Sequence, residues 1–211
     1  SLHDALPILL SFEKVNSYYG KSHILNDATL NIRQGEIVAL VGASGQGKTT
    51  LLHALAGLTS ISGGSIKHRA VDSVHTALSF QESLLLPWLT VRENIKFGFK
   101  FGAIKKHRKF AKGELDAKVD ALLQRIGISE LADRKITELS GGQAQRVSIA
   151  RTIIVEPEIL LLDEPFSALD VTARASLQDW LIDLQTQLGL TVVIVTHDID
   201  EAVRLGNRVL V

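Results

Sequence analysis

The stretch IVALVGASGQGKTT, residues 37–50, decides the fold class. Its first five residues form a continuous apolar run, which is typical of a strand buried on both faces of a parallel sheet. A glycine-rich turn follows, and the helical spacing of the leucines after it predicts a helix over Thr50–Leu58. A strand, a tight turn and a helix in this order predict the first unit of an α/β fold.

The glycine-rich turn matches the spacing of a phosphate-binding P-loop, G-x-x-x-x-G-K-T, over residues 42–49. Glycines let backbone N–H groups wrap an anion, and the N-terminus of the next helix favours a phosphate. We expect Lys48 to reach the β- and γ-phosphates and the Thr49 hydroxyl to bind Mg2+. The alternative is an ordinary turn before a helix. The expected nucleotide contacts are Gly42, Ser44, Gly45, Gly47, Lys48, Thr49 and Thr50.

A second motif, the acidic sequence ILLLDEP, occupies residues 159–165. Its apolar run predicts a buried strand that delivers Asp163 and Glu164 to the carboxyl end of a sheet, where open α/β folds bind ligands. Beside a P-loop, Asp163 is expected to hold Mg2+ and Glu164 to polarise the attacking water. The alternative is a buried strand followed by a merely acidic turn.

The rest of the chain continues the alternation of strands and helices. Short alternating segments separated by turn signals predict further strands within residues 9–41. Apolar runs predict strands at residues 76–80 and 191–196. Helical patterns predict helices over Leu115–Ile126, from about Thr172 to Gln187, and from near Asp198 onward. This alternation favours a parallel α/β sheet.

Composition limits the classes of function. The 211 residues are 45% hydrophobic and 22% charged, which fits one globular domain, or one domain with a small insertion. Basic and acidic residues both number 23, so no overall charge favours binding to nucleic acid. The absence of cysteine excludes disulfides, thiol catalysis and cysteine-type zinc sites. No apolar run approaches the roughly 20 residues that span a bilayer, so a membrane role would require a partner.

The segment LSGGQ, residues 139–143, leads into AQRVSIAR. Ser140 is a suitable N-cap for a helix starting near Gly142, and the N–H groups of Gly141 and Gly142 suit phosphate binding at a helix N-terminus. The alternative is an ordinary capped helix. With the P-loop and ILLLDEP, this segment resembles the nucleotide-binding domain of ABC transporters, whose signature is LSGGQ. The resemblance covers roughly residues 10–211.

The resemblance implies roles for three further residues. Tyr19 would stack on adenine, although Tyr18 is an alternative and a lone tyrosine could equally be a core residue. Gln81, in SFQE, would sense Mg2+ and the attacking water. His197, in VTHD, would contact the γ-phosphate, although a lone histidine is more often structural.

The resemblance also implies that two chains pack head to tail. Each ATP would then lie between Lys48 and Thr49 of one chain and the signature of the other, which comprises Ser140, Gly141, Gly142 and Gln143. SALD, residues 167–170, resembles the loop that crosses this dimer interface, with Asp170 as its acid.

The implied fold is a P-loop NTPase core with a mainly parallel sheet, an N-terminal antiparallel β part and an inserted helical subdomain. The ATP-binding α/β core is expected to comprise residues 9–84 and 155–211, and the helical signature subdomain residues 85–154. Residues 1–8, SLHDALPI, fit no secretory signal and are interpreted as a non-native leader. A C-terminal tail beyond the final strand is expected to be missing.

The implied partners are integral membrane permease subunits and a periplasmic or extracellular solute-binding protein, with this chain peripheral at the cytoplasmic face of the inner membrane. Gln81 and LLLPWLTVREN, residues 84–94, are expected to face the permease; the alternative is a packed turn. The amino-acid sequences of this segment and of EPFSALDV, residues 164–171, resemble those of ATPases in the nitrate, sulfonate and taurine importer group. Importers of other small solutes have similar sequences here.

Two other functions remain open at this point. A soluble ABC-type ATPase acting on DNA or ribosomes usually has two fused domains or long coiled-coil insertions, and neither is visible here. A regulatory ATP-binding module without turnover is disfavoured by Glu164 and His197. The basic run KKHRKFAK, residues 105–112, is interpreted as a solvated face, and nucleic acid is not an expected partner.

Overall fold

The computed structural model describes residues 6–68, 76–100 and 110–211, and within them the chain forms two sheets. An antiparallel sheet in the order β2-β1-β4 comprises β1 (Ile8–Tyr19), β2 (Ser22–Arg33) and β4 (Gly63–His68). A parallel sheet in the order β5-β6-β7-β3-β8 comprises β3 (Ile37–Val41), β5 (Thr76–Ser79), β6 (Ile159–Asp163), β7 (Thr191–Thr196) and β8 (Arg208–Leu210). The predicted mixed α/β class is confirmed.

The three central parallel strands, β6, β7 and β3, are buried at every residue, as their continuous apolar runs predict. Alternate residues of each strand enter opposite cores. Leu160 and Leu162 of β6 pack with the helical part, whereas Ile159 and Leu161 pack with α1 and the antiparallel sheet. The parallel sheet is therefore the middle layer of the molecule.

Six α-helices lie among the described residues: α1 (Lys48–Leu55), α2 (Val91–Phe97), α3 (Glu114–Arg125), α4 (Gly141–Ile153), α5 (Val171–Leu188) and α6 (Ile199–Leu205). The predicted helices match α1 and α3 to α6 within a few residues, although α1 ends earlier than Leu58, whereas α2 lies in the predicted helical subdomain without having been predicted itself. Gly57 takes a left-handed φ of 69° that stops the helix, and Leu58 is left 62% exposed. No described helix is long and apolar enough to cross a membrane.

The N-terminal strands are longer than the short segments predicted from their alternation. Each of β1 and β2 spans 12 residues, because bulges let the paired strands continue through irregular stretches. The sheet also begins before residue 9, since Ile8 pairs with Arg33 and the Pro7 carbonyl accepts a bond from Gln34 N at 2.9 Å. Ile8 of the predicted leader is therefore part of β1 and Pro7 is bonded beside it, while the interpretation of residues 1–8 as a non-native leader remains a prediction.

Two predictions fall wholly or partly outside the described residues. Residues 1–5 of the predicted leader and residues 105–109 of the basic run belong to the ranges that the structure does not describe. The proposed boundaries of the α/β core and of the helical signature subdomain remain predictions.

Candidate nucleotide site

Four neighbouring strands of the parallel sheet end at the same edge. The paired residues Val41–Thr196, Asp163–Val195 and Ser79–Leu162 show that their carboxyl ends lie level. The P-loop follows β3, Asp163 and Glu164 lie at the end of β6, His197 follows β7, and Gln81 follows β5. The fold therefore brings together candidates that are up to 155 positions apart in the sequence, at the edge where parallel sheets bind ligands.

The P-loop turns through two glycines in left-handed conformations, Gly45 at φ 83° and Gly47 at φ 84°. A side chain at Gly47 would meet Ile24 of β2 at 3.0 Å, so a larger residue would be strained and crowded here. The Lys48 ammonium donates to the Gly42 and Ala43 carbonyls, each at 2.7 Å, which holds the positive charge at the mouth of the loop. Residues 43–46 are exposed, and Thr50 lies in the first turn of α1.

Thr49 and Asp163 form the candidate metal-binding pair. The Thr49 hydroxyl lies 3.4 Å from Asp163 Oδ1, and the Asp163 side chain is buried at the end of β6. Burial raises the pKa of Asp163, because the charged carboxylate loses hydration there. A hydroxyl and a carboxylate are oxygen donors of the kind that Mg2+ prefers, and a cation would offset the cost of the buried charge. The pair fits Mg2+ shared with nucleotide phosphates.

Glu164 adopts a backbone conformation that is rare for a residue with a side chain. Its φ is 43°, and it precedes Pro165, which further restricts the allowed backbone. Its N–H donates to the Val195 carbonyl at 3.0 Å, and its Oε2 lies 3.2 Å from His197 Nδ1. Strain of this kind persists where surrounding bonds enforce it, and it is concentrated at functional sites.

Gln81 is linked to Glu164 through Ser167. Gln81 Nε2 donates to Ser167 Oγ at 3.3 Å, and Ser167 Oγ donates to the Glu164 carbonyl at 3.0 Å. The sequence predicts no role for Ser167 beyond its place in SALD. The only available signal was its position three residues after Glu164, which allows a side chain to bond back to the strand end.

Tyr19 and Tyr18 differ in their surroundings. Tyr18 stacks on His23 with ring centroids 4.3 Å apart, whereas Tyr19 is 84% exposed at the end of β1. Tyr18 thus already has an aromatic partner within the chain. This difference favours Tyr19 over Tyr18 as the residue that stacks on a base, and it contradicts a core position for Tyr19.

The signature residues form the N-terminus of α4. Ser140 Oγ accepts from Gln143 N at 3.3 Å, and Gln143 Oε1 accepts from Ser140 N at 3.0 Å, so the two residues cap the helix reciprocally. A side chain at Gly141 would meet Leu169 at 3.3 Å. Among the described residues, no hydrogen bond or ion pair joins Ser140, Gly141, Gly142 or Gln143 to the P-loop of the same chain.

Asp170 has a local structural role in the chain itself. Its Oδ1 accepts from the N–H groups of Thr172 and Ala173, both at 3.0 Å, and so caps α5. The resemblance implies only an interface role for Asp170, although an Asp just before a helix is also an N-cap signal. The two roles are compatible, because both described bonds go to the same oxygen.

Comparison with known proteins agrees with this arrangement. The family described as ABC transporter matches residues 25–167. The chain is 43% identical over 197 residues to the aliphatic sulfonates import ATP-binding protein SsuB of Mycobacterium avium, covering 93% of this chain and 74% of that protein. It is 44% identical over 194 residues to the sulfate/thiosulfate import ATP-binding protein CysA of Xanthomonas campestris, covering 89% of this chain and 56% of that protein.

A solved structure shares the fold. The cbiO1 protein of Clostridium perfringens, described as part of the ABC transporter complex cbiONQ, superposes with a TM-score of 0.84 at 31% identity. The alignment covers 96% of this chain and 83% of that chain. A putative metal-chelate type ABC transporter in an inward-facing conformation gives a TM-score of 0.82 at 30% identity, over 96% of this chain and 78% of that one.

Proposed function

The chain belongs to the ABC transporter family as an ATP-binding subunit that hydrolyses ATP, and we propose that it energises import of a small anionic solute. The named activity of its relatives, import of sulfonates or of sulfate and thiosulfate, supports an oxyanion or a sulfonate as the solute class. A role on DNA or ribosomes has no comparable support. The proposal is carried by the convergence of the P-loop, Asp163, Glu164 and His197 on one sheet edge.

In the proposed mechanism the P-loop binds the phosphates of ATP and each polar group has one task. The N–H groups of the loop and the Lys48 ammonium bind the β- and γ-phosphates. Thr49, Asp163 and Gln81 would hold Mg2+, which when bound would neutralise charge developing on the phosphates. Tyr19 stacks on the adenine.

Glu164 is the group that activates water. Its Oε2 accepts a proton from the attacking water, and the strained backbone at φ 43° fixes where that carboxylate lies. His197 Nδ1 lies 3.2 Å from Oε2 of the same carboxylate, and this contact orients the imidazole ring beside the γ-phosphate. Gln81 is tied to this pair through Ser167, so its position is set relative to the attacking water.

The second half of each ATP site comes from another copy of the chain. Ser140, Gly141, Gly142 and Gln143 present the N-terminus of a 13-residue helix, α4, which favours a phosphate. Asp170 lies in the loop that crosses between the copies. Because the two surfaces are the same in both chains, the proposed assembly is a two-fold dimer with two ATP sites.

The permease-facing surface is proposed at the segment that follows Gln81. Two apolar side chains of this segment are exposed, Leu84 by 56% and Trp88 by 66%, and Phe80, just before Gln81, is exposed by 42%. The buried Asn94 bonds to both the N–H and the carbonyl of Leu86, which gives this turn a defined shape. A rigid turn with exposed aromatic and aliphatic groups suits a helix of the membrane subunit. The chain would then lie at the cytoplasmic face of the membrane, with a solute-binding protein on the other side.

The test of this function is Glu164→Gln, which keeps the shape of the side chain and removes its basicity. We expect ATP to bind with about the same affinity, hydrolysis to fall by at least about a hundredfold, and the ATP-bound chain to dimerise. Glu158→Gln, at the opposite end of β6, is the matched control and is expected to hydrolyse ATP normally. Steady-state turnover of Glu164→Gln equal to that of the parent would exclude the proposed role.

A further inference from the structure

Arg151, on the third turn of α4, binds the backbone that follows Gln81. Its Nη1 donates to the Leu84 carbonyl at 2.9 Å and its Nη2 donates to the Ser83 carbonyl at 2.8 Å. Burial lowers the pKa of Arg151, yet a guanidinium remains protonated in proteins, so these carbonyl oxygens offset its lost hydration. A partly buried charge with two directed bonds holds residues 83 and 84 firmly to the helix.

Ser148 reinforces the same attachment one turn earlier on α4. Its Oγ donates to the Ser83 carbonyl at 3.1 Å and lies 3.4 Å from Ser79 Oγ at the end of β5. Leu84 has a φ of 41°, in the left-handed region that a leucine rarely adopts. The bonds from Arg151 and Ser148 therefore hold the backbone in a shape that it would otherwise leave.

The attachment connects two parts of the proposed mechanism. Gln81 lies two residues before Ser83 and reaches Glu164 through Ser167. The opposite end of α4 begins at the Ser140 cap, which in the proposed dimer meets the ATP of the second copy. A rigid helix thus has the signature at one end and the backbone of the Gln81 segment bonded to its later turns.

We propose that Arg151 and Ser148 are positioning residues that make the placement of Gln81 depend on the placement of α4. The proposal rests on the function proposed above. When the signature is seated on the ATP of the partner copy, α4 holds Gln81 where it completes the site beside Glu164. When α4 shifts, the backbone of Ser83 and Leu84 moves with it and withdraws Gln81.

The experiment compares Arg151→Lys with Arg146→Lys in the full chain. Lysine keeps the charge but its single ammonium cannot bond two carbonyls in the geometry of a guanidinium fork. Arg146 is the matched control on the same helix, since its Nη2 bonds to Ser176 Oγ at 3.0 Å and its guanidinium lies 5.5 Å from the Trp180 ring centre, away from the Gln81 segment. We expect kcat to fall by about tenfold in Arg151→Lys, with KM for ATP within about twofold, and little change in Arg146→Lys.

Combination with Gln81→Ala separates positioning from a general role in folding. If Arg151 acts through Gln81, the double variant has the kcat of Gln81→Ala alone, because the group being positioned is already absent. Losses of kcat that multiply in the double variant, with Gln81→Ala itself impaired, would overturn the inference while leaving the proposed function intact. Wild-type kcat in Gln81→Ala would remove the proposed role of Gln81 and this inference with it.

A milder variant keeps the test valid if Arg151→Lys folds poorly. Ser148→Ala removes one bond to Ser83 and leaves the guanidinium in place. It is expected to lower kcat by a few-fold at an unchanged KM, with a fall in Tm of about 2–4 °C for the lost buried bond. A loss of Tm without a loss of kcat in Ser148→Ala and Arg151→Lys would show that the attachment is structural only.

Discussion

Asp163 shows how a functional side chain can be unfavourable for the fold at the scale of one residue. Its carboxylate is buried, and among the described residues Thr49 is its one hydrogen-bond donor, at 3.4 Å. Burial raises the pKa of Asp163, so the folded chain holds this proton more tightly than the unfolded chain. The free energy of unfolding must therefore fall as the pH rises from the ordinary aspartate pKa through the raised value.

We expect Asp163→Asn to raise Tm at neutral pH, in EDTA and without nucleotide, because asparagine carries no charge and its Oδ1 still accepts from Thr49. The gain should shrink as the pH approaches about 3, where the aspartate is protonated in both states. Hydrolysis of ATP should be nearly lost. Scanning calorimetry at several pH values tests this, with the exposed Asp183→Asn on α5 as the control. A Tm below that of the parent at neutral pH would contradict the prediction.

The residues of the site were predictable to different degrees. Residues whose type and spacing serve one chemistry, such as Lys48 and Glu164, were found from the motifs, and the structure places them together. Ser167 and Arg151 were not predicted, because their bonds go to backbone carbonyls, which any sequence supplies. The left-handed backbone of Glu164 was also invisible, since it is imposed by the β6–β7 neighbourhood rather than by local preference.

At the scale of elements, α2 and α4 begin in the same way. Thr90 with Glu93 and Ser140 with Gln143 each form a reciprocal capping box, and both helices belong to the same hydrophobic cluster. The two N-termini therefore offer the same local stabilisation. Of the two, only the α4 terminus carries glycines, the exposed Gly141 and the half-buried Gly142, and is proposed to meet a nucleotide.

This pairing makes Thr90→Ala a matched control for Ser140→Ala. Each substitution removes one cap and should cost about 1 kcal/mol, or about 2–4 °C in Tm. Only Ser140→Ala should also lower kcat, by about tenfold, because a hydroxyl that binds a charged phosphate is lost. Thermal unfolding and steady-state hydrolysis measured on both variants distinguish a capping role of Ser140 from a phosphate-binding role. Equal kcat values would mean that Ser140 serves only as a cap.

Most strands and helices could be predicted from local sequence patterns, whereas the full lengths of the bulged strands could not. Fully buried strands and capped helices were located within a few residues, since continuous apolar runs and cap residues are local signals. The 12-residue lengths of β1 and β2 were missed, because bulges interrupt the period of two on which strand prediction depends. Strand order was not predicted either, since pairing over long sequence separations leaves no mark in any short window.

At the scale of the whole molecule, the segment after Gln81 is the surface proposed to meet the permease. We expect Trp88→Ala to leave hydrolysis by the isolated chain unchanged and to weaken its association with an integral membrane protein by about thirtyfold, as for loss of an aromatic anchor. Leu58→Ala, which removes a similarly exposed side chain outside the segment, should retain association. Co-purification from detergent-solubilised native membranes measures both. Equal recovery with the two variants would exclude Trp88 as an anchor.

The strand order also determines when the ATP site can form during translation. Among the described strands, the P-loop strand β3 pairs only with β7 and β8, which lie within residues 191–210, and only β7 joins β3 to β6. A nascent chain that has not yet exposed these residues contains the P-loop and Glu164 on strands that do not touch. It presents unpaired apolar edges that favour chaperone binding or aggregation. ATP hydrolysis can therefore begin only after residues 191–196 have been synthesised and have paired with β3 and β6, and a ribosome that stalls earlier releases a product with every upstream motif and no working site.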